Sequence, residues 1–152
     1  DTGDLVQASD VNAFVGDAAP VAADVVEAVT DVIEEVVETV TEDLTKVYSQ
    51  DELMTMGEQV YMKACVACHQ PTGAGMPPAF PSLIGSPIIM GDVSAHINMV
   101  VNGSAKNPAM AAFKGQLSKT EIAAVVTYER NAWGNNTGDL VQPADIDAAS
   151  AK

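Results

Sequence analysis

Lys63–Gly73 reads KACVACHQPTG. The stretch holds the chain's two cysteines, Cys65 and Cys68, and sets His69 directly after the second. Four chemistries use part of that pattern: a structural disulfide, a zinc clip, a redox dithiol, and a porphyrin joined to the chain through thioethers. A disulfide gives His69 no role. A thioredoxin-like dithiol follows a strand in a βαβ unit, and no such unit is legible. Zinc needs four ligands; Cys65, Cys68, His69 and His96 would have to supply them, and adjacent Cys68 and His69 would strain one tetrahedron. Two thiols at i and i+3 of a helical turn lie on one face. Both can then join a haem's vinyl groups while the next residue, His69, turns its imidazole to the iron. One covalent haem c is the expected cofactor.

Working outward, the surroundings are helical. Ser49-Gln-Asp-Glu52 is a capping box that opens a helix running to about Ala64. Gln70–Pro87 is a loop rich in Pro and Gly. Asp92–Val101 predicts a short helix stopped at Asn102-Gly103. After a second loop, Ser104–Leu117, the capping box Ser118-Lys-Thr-Glu121 opens a helix to about Trp133. No alternating strand pattern appears, so the predicted class is all-α. Among seven methionines, Met110 sits in the irregular loop after Asn107-Pro108, where the chain can cross a haem and bring sulfur to the iron. It is the expected second axial ligand, with Met90 next; Met76 lies too close in sequence to His69 to reach the opposite face. His96, on the short amphipathic helix, reads as a surface or internally satisfied histidine.

The formal charge of −14 is unevenly placed: residues 1–46 hold twelve of the 21 acids and a single base, Lys46. Residues 49–134 carry six acids against five bases. This sign of charge excludes nucleic acid as a partner, and no apolar run of ~18 residues exists to span a bilayer. Residues 18–47 repeat Val and acidic residues at three- and four-residue steps, which predicts an amphipathic, acidic linker helix able to pair with a second copy. Thr2–Val11 (TGDLVQASDV) and Thr137–Ile146 (TGDLVQPADI) match at seven of ten positions, 135 residues apart. That spacing fits a domain plus its linker. The expected layout is therefore 1–17 as the tail of a preceding similar domain, 18–47 as linker, 48–136 as the haem domain, and 137–152 as a C-terminal tail.

CVACHQPTGAGMPPAFPSLIGS, the loop with NPAM, and LSKTEIAAVVTYERNAWGNNTG together resemble a class I c-type cytochrome domain. They are most similar to the domain at the C-terminus of subunit II of bacterial caa-type cytochrome c oxidases. The resemblance implies that Gly57 lets the first helix cross the last closely, with Tyr61 and Tyr128 at the crossing. It implies that Pro81, with Pro78 as rival, offers its carbonyl to the ring N–H of His69, and that Trp133 closes the core. It also implies electron transfer, not catalysis: single electrons arriving from a c-type cytochrome donor and passing to the oxidase's copper domain, on the periplasmic side, tethered to the inner membrane through the parent protein. Subunit II builds its copper site on two further cysteines that this chain lacks, so the resemblance covers the cytochrome portion alone. The alternative is half of a free periplasmic di-haem carrier.

Overall fold

Two serines set the frame. A computed structural model of the chain describes residues 42–151. The Ser49 hydroxyl accepts from Glu52 N (3.3 Å) while the Glu52 carboxylate accepts from Ser49 N (2.8 Å), opening α1 (Gln50–Ala64). The chain continues through α2 (Val66–His69), α3 (Pro87–Met90) and α4 (Val93–Asn102). Ser118 and Glu121 make the same reciprocal pair at α5 (Lys119–Asn131), and α6 (Pro143–Ser150) follows. Each such cap is worth about 1 kcal/mol. Among the described residues there is no strand, only an isolated bridge between Met76 and Phe80. The class is all-α, as the sequence indicates.

The core forms where α1 crosses α5. Gly57 stands at the crossing: a Cβ there would lie 2.2 Å from the Ala124 carbonyl oxygen and 2.5 Å from Tyr128 Cβ. Tyr61 and Tyr128 meet beside it, ring centroids 5.7 Å apart, and Trp133 closes the cluster at 4.8 and 5.3 Å. Val60, Ile97, Val101, Ile122 and Val125 fill the space between the helices; full burial of such a side chain contributes about 2 kcal/mol.

The expected boundary at 136 falls inside this packed unit. Instead of trailing as a tail, residues 137–150 return across α5, and Val141 and Ile146 are buried. The TGDLVQ segment works as a clasp, tied to α5 and to Tyr48 by hydrogen bonds along its length. Gly138 N donates to Asn131 Oδ1 (3.0 Å), Asp139 accepts from Arg130 Nε (2.9 Å), and Val141 N donates to Thr127 Oγ1 (2.9 Å). The Gln142 amide pairs with both backbone groups of Tyr48, at 2.8 and 3.1 Å. Ile146→Ala should therefore lower the unfolding free energy by about 3 kcal/mol, read as a fall in the urea midpoint with little change in slope; a neutral result would return the segment to the status of a tail.

Of the predicted linker, residues 18–41 lie outside the described residues. Its last part, 42–47, is not helical; it turns at Leu44-Thr45, with Asp43 accepting from Thr45 N (2.9 Å). The first copy of the TGDLVQ repeat also lies outside the described residues.

Arg130 ties the clasp to the rest. Its guanidinium is buried and donates to the carbonyls of Ile89 (2.6 Å) and Gly91 (2.9 Å) as well as to Asp139. Hydrogen bonding from Arg130 holds the Asp139 carboxyl below its usual range, against the opposing effect of burial. A depressed carboxyl stabilises the fold above its unfolded pKa of about 3.9 and loses that contribution as pH falls through the folded value. Because the Asp139 side chain is 43% exposed, screening limits the effect to about 1 kcal/mol. Asp139→Asn should thus be less stable than the wild type at pH 7, with the gap narrowing below pH ~4, which denaturant titrations at both pH values will show.

Candidate functional site

Cys65 ends α1 and Cys68 and His69 lie in α2, so one helical turn brings all three to the same wall of a cavity of about 380 Å³. The cavity's other walls are largely apolar, with Leu83, Ile89, Val100, Phe113 and Leu117 among them. Met110 lines it from the loop between α4 and α5. Of the other methionines, Met99 also lines the cavity, whereas Met90 and Met76 do not and are exposed at 43% and 44%.

His69 is oriented by backbone. Its Nδ1 lies 3.3 Å from the Pro81 carbonyl oxygen, which can only accept, so Nδ1 carries the proton. That tautomer leaves Nε2 with a free lone pair, the form a metal ligand needs. Gly75 makes the contact attainable: with φ +65° it lets the loop fold so tightly that a Cβ would meet the carbonyls of Phe80 and Pro81 at 2.5 and 2.6 Å. Pro81, not Pro78, is the residue in hydrogen-bonding reach.

The Met110 loop is held just as firmly. Met110 N donates to Asn107 O (3.0 Å) and Ser104 N to Met110 O (3.0 Å). Asn107 Nδ2 reaches over to the Ala79 carbonyl at 3.0 Å, tying the two loops that frame the cavity. Behind them, buried Asn135 donates to the Leu83 and Glu129 carbonyls and accepts from Gly85 N, fixing the Pro/Gly loop to the end of α5.

Cys65 and Cys68 do not form a disulfide with each other. Burial, reinforced by the negative charge of Glu129, pushes the Cys65 thiol well above its ordinary pKa. A redox dithiol needs the opposite shift. Among the described residues no three His, Cys, Asp or Glu side chains converge as a zinc clip requires. The arrangement fits a flat apolar group: two cysteines on one wall, a pre-aimed imidazole, a thioether from a separate loop, and largely apolar walls.

Two further wall residues form a pair: Glu129, which the sequence reading did not single out, and His96, read there as a surface or internally satisfied histidine. His96 is buried at 1% exposure, and its Nε2 lies 2.8 Å from Glu129 Oε2, itself nearly buried. The signal was present in the periodicity. His96 shares the apolar stripe Val93, Ile97, Val100 of α4, and Glu129 falls one turn beyond Val125 and Val126 on α5.

Residues 52–128 match the family described as cytochrome C oxidase, cbb3-type, subunit III. Over 99 residues the chain is 35% identical to the cytochrome c subunit of a quinone alcohol dehydrogenase from Gluconobacter oxydans (strain 621H), covering 59% of this chain and 21% of that protein. It is 29% identical over 100 residues to the cytochrome c subunit of gluconate 2-dehydrogenase from Pantoea cypripedii, covering 59% and 23%. With cytochrome c-552 of Thermus thermophilus the identity is 32% over 94 residues, covering 52% of this chain and 69% of that protein. The chain thus spans under a quarter of the dehydrogenase subunits' length.

Proposed function

Because this chain belongs to the c-type cytochrome family that its residues 52–128 match, we propose that it carries single electrons on a haem c fixed by Cys65 and Cys68 and ligated by His69 and Met110. The observation that carries this reading is the convergence of those four side chains on one apolar cavity, with His69 already held in the ligating tautomer by Pro81. When bound, the haem supplies the one-electron redox centre. The protein does the rest. Cys65 and Cys68 hold the macrocycle's edge to one wall, and the Pro81 carbonyl keeps the His69 ring in plane and raises its basicity. Met110 supplies a thioether, which favours the reduced state relative to a second imidazole. Leu83, Ile89, Val100 and Phe113 line the cavity and would shield a group held there from water. The loops around Ala79–Leu83 and Met110 frame the edge through which electrons enter and leave.

For the partner, the resemblance to caa-type subunit II supports delivery to an oxidase copper domain, a tethered hand-off at high effective concentration. The TGDLVQ repeat supports a parent with a second, similar domain in series, since the copy at 137–146 is an integral closing segment of this one. The alternative remains half of a di-haem carrier, and the dehydrogenase cytochrome subunits among the relatives favour a place next to a quinone-linked dehydrogenase. A copper-site domain or membrane helices in the coding sequence upstream of Asp1 would select the oxidase; a second Cys-x-x-Cys-His motif there without them would select the carrier. Haem attachment of this type places the domain on the periplasmic side. No described helix is long and apolar enough to cross a membrane.

The test is an intact mass with a pyridine haemochrome spectrum on material matured with the haem-attachment machinery. One covalent haem per chain, with the weak long-wavelength sulfur-to-iron band in the ferric protein, is the expected result. A mass equal to the bare polypeptide overturns the proposal.

A further inference from the structure

Among the described residues, one buried side-chain polar atom has no hydrogen-bond partner: Nδ1 of His96. The other ring nitrogen of that residue, Nε2, faces the Glu129 carboxylate at 2.8 Å, and both residues line the cavity. Together these facts bear on the charge of the pair. If the imidazole were doubly protonated, its Nδ1–H would be a charged donor buried with no acceptor, the most expensive way to leave a polar group unsatisfied. A neutral ring with the proton on Nε2 donates to the carboxylate and leaves at Nδ1 only a bare lone pair, whose burial costs far less. With Glu129 as the carboxylate that accepts from Nε2, the pair carries one net negative charge.

Nothing nearby cancels it. The residues lining the cavity include no Lys or Arg, and Arg130, next in sequence, directs its guanidinium to Asp139 and to the carbonyls of Ile89 and Gly91. Glu129 lies close to the attachment position: burial first, and Glu129 second, push the Cys65 thiol and the Tyr61 hydroxyl up. A fixed negative charge in a low-dielectric wall favours the more positive of two redox states.

On the reading that this cavity holds the haem, we propose that the His96–Glu129 pair is a built-in electrostatic control that stabilises ferric over ferrous iron and sets the domain's potential below what its His/Met ligation alone would give. His96 acts as the positioning residue: its Nε2 aims the Glu129 carboxylate without neutralising it.

Two measurements on the haem-loaded protein test this. In the ferrous, diamagnetic state, nitrogen NMR should show the His96 ring protonated on Nε2 and bare at Nδ1. Equilibrium redox titration of E129Q, which keeps an acceptor for His96 while removing the charge, should give a more positive midpoint than the wild type, with the ferric sulfur-to-iron band unchanged. A doubly protonated His96 ring overturns the proposal. So does an E129Q midpoint at or below the wild-type value. The NMR measurement needs no variant, so it decides the matter even if E129Q does not fold. Absence of haem would sink the electron-carrier reading itself and is seen beforehand in the haemochrome spectrum.

Discussion

Met110→Ala holoprotein is expected to retain its covalent haem and lose the long-wavelength ferric band altogether. Attachment depends on Cys65 and Cys68, which the substitution does not touch, so the intact mass still includes one haem. What disappears is the thioether at the cavity wall. The ferrous protein should then bind carbon monoxide readily, and the midpoint potential should fall, because sulfur ligation favours the reduced iron. The loop itself should stay in place, since its ties run through the Met110 backbone and the Asn107 side chain. If the band persists and carbon monoxide is excluded, another residue ligates the iron. Met99, the other methionine on the cavity wall, would be next to replace.

Gly57→Val carries the largest expected effect on stability. Even one added carbon would sit 2.2 Å from a backbone oxygen of Ala124, and backbone cannot step aside as a side-chain tip can. Relief requires α1 and α5 to separate, which would open the contacts of Tyr61, Tyr128 and Trp133 as well. Overpacking of this kind costs roughly 3 kcal/mol. Thermal unfolding of Gly57→Ala and Gly57→Val should show a graded loss, with the valine variant accumulating poorly; equal stability of all three would mean that the helices do not cross at this point.

Much of this architecture was written in short local signals. Ser49/Glu52 and Ser118/Glu121 announced the two main helices to within a residue or two of their starts, because a reciprocal cap is satisfied by four consecutive residues. The Cys65–His69 turn was equally legible. The end of α5 was not: it stops at Asn131, since Ala132 is extended and Trp133 adopts φ +55° to place its indole on the tyrosines and its Nε1 on the Pro71 carbonyl at 3.2 Å. That is a tertiary demand. The single-turn α3 is too brief to show periodicity, and α6 offers only Pro143, Ile146 and half-buried Ala149 as an apolar face. Its stability comes from contacts with α4 and α5, which no window of sequence displays. The pairing of His96 with Glu129 was not legible for a related reason. Thirty-three residues apart in sequence, they form a pair only once α4 lies beside α5.

The Asn107–Ala79 hydrogen bond joins the sulfur-bearing loop to the one that aims the imidazole. One amide thus makes a collar of two strips of irregular chain, and neither can drift without dragging the other. Dissociation of the thioether and widening of the mouth become a single event, so the rate at which a small anion such as cyanide reaches ferric iron would report how often this collar unlatches. If His69 and Met110 do grip the iron as proposed, one shared tie between their loops would limit rearrangement when the oxidation state changes.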